Sequence, residues 1–160
     1  MIKKIYVFDF DGCLINSPLP EQGKIAWSKY YGKEYPFAGW WGRLESLDNK
    51  VFKITPKQSI VREYVARRTE KDAVTIMLTS RLPKFENVIM ELLFKFGIKM
   101  DEYLFKKGNL NKSDRIDNLI KKYPTAEYIE IWDDNSGEIG LYEEWAKHID
   151  NIEIKINKVE

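Results

Sequence analysis

The sequence is poor in the side chains that most often build metal centres and covalent catalysts. Its single cysteine, Cys13, excludes an internal disulfide framework and a multi-cysteine zinc site. Its single histidine, His148, makes histidine metal clusters and Ser-His-Asp catalysis poor candidates. Chemistry is left to carboxylates, lysine and hydroxyls. Long apolar runs are missing too, and no stretch approaches the ~20 residues of a membrane span. The opening MIKKIYVFDFDG is basic, but its apolar run is short and broken by aspartates, unlike a signal peptide. A cytoplasmic protein with no membrane partner is expected. Charge of one sign is also lacking: 26 Lys and Arg stand against 25 Asp and Glu, a formal net of +1. That balance argues against coating nucleic acid by bulk charge and against an acidic disordered tail, while leaving room for a local basic patch.

What is present suits one globular domain over residues 1–160. Of these residues, 44% are hydrophobic and 14% aromatic, which excludes a disordered chain. Short β-branched or aromatic segments predict strands at Ile5–Phe10, Val74–Leu78 and Tyr128–Trp132, with weaker ones at Glu102–Phe105 and Ile152–Ile156. Helical periodicity falls between them. Ile60, Val61, Tyr64 and Val65 follow Thr55-Pro56, read as an N-cap and first-turn proline. Phe85, Val88, Ile89, Leu92, Leu93 and Phe96 precede Gly97, a natural helix stop. Ile116, Leu119, Ile120 and Tyr123 end at Pro124, and Leu141, Tyr142, Trp145 and Ile149 mark a last helix. Alternating strands and helices predict a three-layer, Rossmann-like α/β fold with a parallel sheet of about five strands. Its working site belongs beyond the carboxyl ends of the strands.

One crossover, from Asp11 to Ala73, is far longer than the dozen or so residues such a connection needs. It holds a helical stretch near Glu21–Tyr31 and the irregular Tyr-Pro-Phe-Ala-Gly-Trp-Trp-Gly segment at 35–42. A small cap inserted at about residues 16–55 is expected to project over the strand ends.

The first strand runs into Asp9-Phe10-Asp11-Gly12, two carboxylates two residues apart with a glycine to turn the chain. Neighbouring carboxylates repel and resist burial unless something cationic binds there. The fourth strand ends in Trp132-Asp133-Asp134-Asn135. If these strands are neighbours, four carboxylates converge, a set suited to a hard divalent cation such as Mg²⁺. The second strand ends in Thr79-Ser80-Arg81, which offers an anion site or an ordinary N-cap. Lys112 stands at a helix start, with Lys106 and Lys107 as alternatives just after a strand.

In that order Asp9-Phe10-Asp11-Gly12, Thr79, Lys112 and Asp133-Asp134 resemble the four motifs of the haloacid dehalogenase (HAD) superfamily. More narrowly, the chain resembles the phosphatase-like domains of Swiss Army Knife RNA repair proteins and polynucleotide 3′-phosphatases. The matching features add Ser17-Pro18 and Pro20, Gly39-Trp40-Trp41, Leu78-Thr79-Ser80-Arg81 with Phe85, and the strand end at Trp132. The resemblance implies a HAD-like fold and a Mg²⁺-dependent phosphomonoesterase. Asp9 would be the nucleophile, forming an aspartyl-phosphate, and Asp11 the acid and base. Thr79 and Lys112 would hold the phosphoryl oxygens, and Asp9, the Asp11 backbone carbonyl, Asp133 and Asp134 the metal. Ser80, Arg81, Arg43, Trp40 and Trp41 would contact substrate, a phosphate ester at a nucleic-acid end. The chain departs from the pattern at Cys13 for threonine, Ser80 for glycine, and Asn135 where the repair-type sequences carry arginine.

The insertion carries Trp27, Tyr30, Tyr31, Tyr35, Trp40 and Trp41, with Arg43 following. These rings either stack on bases or form the insertion's own core. The run Arg62, Arg67, Arg68 and Lys71 reads as the wet face of its helix. Two other functions compete. One is a phosphatase for nucleotides or other small esters. The other is a receiver-like phospho-aspartate switch, which would need an aspartate at the end of its third strand, where Tyr103–Lys107 offers none. With four acids assigned to one pocket, the remaining 26 cations and 21 anions leave a mildly basic surround of +5.

Overall fold

The computed structural model describes all of residues 1–160. In chain order the elements are β1 (Lys4–Phe8), β2 (Ile15–Asn16), α1 (Pro20–Tyr31), β3 (Thr55–Pro56), α2 (Gln58–Arg68), β4 (Ala73–Leu78), α3 (Glu86–Lys95), β5 (Glu102–Leu104), α4 (Lys112–Lys122), β6 (Tyr128–Asp133), α5 (Ser136–Ala146) and β7 (Glu153–Lys158). Five of the strands form one parallel sheet in the order β5-β4-β1-β6-β7. The sheet is the one the alternating pattern predicts.

Period-two alternation in β1 sends its residues to two cores. Tyr6 and Phe8 pack with Ile60 and Tyr64 of α2 and with Ile89 and Leu93 of α3. Ile5 and Val7 pack with Ile116 and Leu119 of α4 and with Tyr142 of α5. Phe8 stacks on Trp132 with centroids 4.4 Å apart and planes 2° from parallel. Burying a ring as completely as Phe8 contributes about 1.5–3 kcal/mol. This central pairing also sets the level of the strand ends. Phe8 lies beside Met77 on one side and Trp132 on the other, so Asp9 and Asp133 leave the sheet at the same height.

Four local expectations are corrected. Strand β1 stops at Phe8 rather than Phe10, because the Phe10 carbonyl accepts from the amides of Cys13, Leu14 and Ile15 and closes a tight turn. Thr55 and Pro56 are not a helix start: they pair antiparallel with Ile15 and Asn16, and α2 begins at Gln58 after Lys57, without a side-chain cap. Arg67 is not on a wet face, since it pairs with Glu63 and reaches Glu130, which is buried on β6. The last helix ends at Ala146, before Ile149, and His148 lies on the surface beside Glu144.

Between β2 and β3 the chain leaves the sheet and returns. This inserted segment contains α1, an irregular stretch and a 3-10 turn over Leu44–Leu47. Trp27, Tyr35 and Trp40 form its small buried core. A Cβ on Gly23 of α1 would fall 2.2 Å from the Trp40 ring, so only glycine lets the helix lie this close.

Candidate active site

A cavity of about 500 Å³ opens at the carboxyl ends of β1, β4 and β6, with the inserted segment forming one wall through Leu19, Trp41 and Gly42. Its floor is charged and buried. Lys112 Nζ donates to Asp9 Oδ1 at 2.9 Å and to Asp133 Oδ2 at 2.7 Å. All three side chains are nearly inaccessible.

Local sequence explains how Lys112 arrives. Asn111 and Asp114 form a reciprocal capping box, each side chain accepting from the other's amide at 2.8 and 3.0 Å. This starts α4 at Lys112 and aims its first turn at the strand ends. Arg115, one turn on, donates to the carbonyls of Thr79 and Leu104 and so ties α4 to the ends of β4 and β5. Lys112 is thus the lysine of the floor, and Lys106 lines the cavity wall.

Carboxylate oxygens of Asp9, Asp133 and Asp134 lie within 4.8 Å of one another. Gly12 makes this possible. Its φ is +69°, and a Cβ there would fall 2.1 Å from Asp134 Oδ2. Tyr142, buried on α5, donates to Asp133 Oδ2 at 3.4 Å, and the Asn135 amide donates to Oδ1 at 3.0 Å. Burial pushes the Asp9 carboxyl well above its usual range, and the charge of Asp133 adds to this against the pull of Lys112. Burial alone would lower the Lys112 ammonium, but Asp9 and Asp133 outweigh it and hold it charged. With Asp9 ionised, three carboxylates against one ammonium would leave the floor two charges negative. An all-oxygen donor set with that imbalance fits a divalent cation such as Mg²⁺.

Asp11 is elsewhere. Its carboxylate does not join the three; Arg81 holds it with Nε on Oδ2 and Nη2 on Oδ1, both at 2.8 Å, and Ser17 Oγ donates to Oδ1 at 2.6 Å. Thr79 is buried, and its Oγ1 accepts from the Arg81 amide at 3.1 Å. Ser80 is exposed on the cavity wall.

The other expected substrate contacts divide. Trp41 lines the cavity and is 41% exposed, whereas Trp40 is 3% exposed inside the segment's core, its Nε1 donating to the Pro18 carbonyl. Arg43 does not line the cavity: it pairs with Glu45 and sits 3.4 Å over the Phe37 ring. Tyr31 is tied to Asp48. Asn135 caps α5 by accepting from the Glu138 amide at 3.0 Å, which accounts for its presence at that position. Cys13 is fully buried under the turn, donating to the Trp132 carbonyl, and burial pushes its thiol up. Sequence reasoning missed Arg115, Tyr142, Ser17 and Ser46 as site residues. Arg115 carried a local signal, three residues after Lys112 on the same helical face, and Ser17 a motif one, in Ser17-Pro18.

A parallel sheet with acids at the ends of two adjacent central strands, a helix-start lysine between them and a threonine on the third defines a haloacid dehalogenase-like domain. The chain belongs to HAD domain family 1 of Swiss Army Knife RNA repair proteins, whose model matches residues 32–160. Thr79, Lys112, Asp133 and Asp134 fall inside that match, and Asp9 and Asp11 precede it. Among solved structures, a haloacid dehalogenase-like hydrolase from Streptococcus pneumoniae superposes with a TM-score of 0.62 at 14% identity, over 96% of this chain and 83% of that one. A chain of the Pnkp1/Rnl/Hen1 RNA repair complex superposes at 0.58 and 14% identity; 99% of this chain covers 42% of its length. The HAD domain of effector protein Lem4 from Legionella pneumophila, in an inactive mutant form, gives 0.54 at 14% identity, over 99% and 86%. No curated protein matches the sequence. No helix is long and apolar enough to cross a membrane.

Proposed function

We propose that the chain is a Mg²⁺-dependent phosphomonoesterase that removes a terminal phosphate from a nucleic-acid end through phosphorylated Asp9. The observation that carries the reading is the buried Asp9–Lys112–Asp133 floor, with Asp134 beside it, opening into a cavity whose rim holds a fourth, differently held carboxylate, Asp11. Asp9, Asp133 and Asp134 would hold the cation, which when bound neutralises the converging anions. Lys112 occupies one Asp9 oxygen and leaves the other without a partner in the protein.

A carboxylate oxygen of Asp9 attacks phosphorus, the bond to the ester oxygen breaks, and Asp11, which must carry a proton before the attack, gives it to that oxygen. Water then attacks the acyl phosphate, Asp11 takes its proton, and inorganic phosphate leaves with Asp9 restored. Thr79 lines the cavity with a hydroxyl that accepts from Arg81 and donates to nothing in the protein, so its proton is available to a phosphoryl oxygen.

The polymer-end part draws on the family and on the rim. Both Lys112 and Arg81 are engaged in buried pairs, which leaves Lys106 as the cation of the cavity wall that makes no ion pair. It faces the same cavity as the half-exposed Trp41 ring, and a free cation with an aromatic plane suits a flanking phosphate and a terminal base. The test is a phosphate-release assay with Mg²⁺ on 3′-phosphorylated RNA, 3′- and 5′-phosphorylated DNA, and mononucleotides. Preference for a 3′-phosphorylated polymer is expected. Equal turnover of mononucleotides would replace the polymer end with a small phosphate ester.

A further inference from the structure

The motif reading assigns Arg81 to the substrate, yet four of its five N–H donors already have other partners. The side chain is 3% exposed. Of its five N–H groups, two go to the Asp11 carboxylate, and Nη1 donates to the Trp41 carbonyl at 3.0 Å and to Ser46 Oγ at 2.6 Å. The guanidinium lies 4.7 Å from the Phe85 ring centroid and 5.4 Å from that of Trp41. Ser46 is itself buried and oriented, donating to the Arg43 carbonyl at 2.7 Å.

We propose that Arg81 is the positioning residue of Asp11 rather than a ligand of the phosphate, and that it fixes the acid–base carboxylate to the inserted segment. This rests on the phosphatase reading above. A two-pronged guanidinium–carboxylate pair sets the plane of the carboxylate as well as its distance. With Ser17 and Arg81 on Oδ1, and Arg81 alone on Oδ2, the acceptor position left open is on Oδ2. One defined oxygen therefore exchanges protons with the leaving group and with water. Through Trp41 and Ser46 that oxygen is placed by the same segment that forms the cavity wall, so a change at Ser46 reaches Asp11 without touching substrate.

The experiment compares 2,4-dinitrophenyl phosphate, whose leaving group needs no proton, with a 3′-phosphorylated oligonucleotide, whose leaving alkoxide does. For Arg81→Gln relative to wild type, kcat/KM on the oligonucleotide is expected to fall about 100-fold further than on the aryl ester, the scale of general acid–base catalysis. Asp11→Asn shows the same selectivity, and the double variant is no worse than Asp11→Asn. Arg81→Lys and Ser46→Ala show the same bias, several-fold in size, and keep the question answerable if Arg81→Gln does not fold. Equal loss on both substrates, with weaker inhibition by inorganic phosphate, would make Arg81 a phosphate ligand and overturn the proposal. An unchanged selectivity in all three variants overturns it as well. A wild-type chain that releases phosphate from neither substrate removes the phosphatase reading itself, an outcome distinct from an active chain with unselective variants.

Discussion

Two buried cations divide the cavity into contrasting halves. On the sheet side, Lys112 faces Asp9 and Asp133 with Asp134 nearby, and with Asp9 ionised the group is two charges negative. On the side of the inserted segment, Arg81 faces Asp11 alone, and the pair is balanced. A lysine ammonium is a point charge that serves two carboxylates without fixing their planes, whereas a guanidinium fixes one carboxylate in one plane. On the proposed function, the unbalanced half would receive a further cation, and the balanced half would hold the proton-transfer group still.

The largest effect expected comes from Asp9→Asn, which breaks the unbalanced half chemically while keeping its shape. An amide cannot displace the ester oxygen, so turnover should drop by about 10⁴-fold or more, equivalent to roughly 5.5 kcal/mol of barrier. The fold should persist, because removing a buried carboxylate held above its usual pKa relieves repulsion from Asp133. The same substitution isolates a pH effect in chelated protein. A carboxyl raised in the folded state binds its proton more tightly there, so its contribution is fully favourable below the ordinary carboxylate range and is lost as pH rises through the raised value. The stability difference between wild type and Asp9→Asn, followed by thermal melts with EDTA, should therefore move against wild type from pH 4 upward. Mg²⁺ should flatten that slope. A difference that is constant with pH would contradict the assigned direction.

Lys112→Met breaks the same half electrostatically. It leaves Asp9 and Asp133 buried with no cation, a loss of about 3–5 kcal/mol. Mg²⁺ should restore part of this, because the cation acts on the same carboxylates. Thermal melts with and without Mg²⁺ measure both numbers. A larger Mg²⁺-induced rise in Tm for the variant than for wild type is the expected result, and an equal rise would separate the lysine from the metal set.

Much of the unbalanced half was legible in the sequence because its determinants are local. Short β-branched and aromatic runs placed β1 and β6, and their aspartates follow directly. The helix-start position of Lys112 reflects the Asn111–Asp114 capping box, which is written within four residues. The balanced half was not legible, since its partners are far apart in the chain. Arg81 meets Asp11 across 70 positions and Ser46 across 35, and nothing near Arg81 signals that its donors are occupied. The same reason hid the Thr55–Pro56 strand, whose partner is Ile15–Asn16, and the pairing of Arg67 with Glu130 across 63 positions. Pattern reasoning recovers where a side chain leaves an element, and loses which of several polar groups it meets.

The inserted segment sharpens that limit through two adjacent tryptophans. In irregular backbone no period says which neighbour faces inward, and Trp40 and Trp41 take opposite sides. Trp40→Ala empties the core shared with Trp27 and Tyr35 and loses the bond to the Pro18 carbonyl, a cost of about 3 kcal/mol read in urea unfolding. Trp41→Ala removes a ring that covers the cavity rim, while the backbone carbonyl that Arg81 uses stays in place. It should leave stability nearly unchanged and raise KM for a 3′-phosphorylated oligonucleotide about tenfold, the scale of one stacked base. KM for 2,4-dinitrophenyl phosphate should change far less, since stacking needs a base beyond the phosphate. If Trp41→Ala instead raised KM on both substrates alike, its ring would be acting on the phosphate pocket, and the division between a chemical floor and a recognising rim would fail.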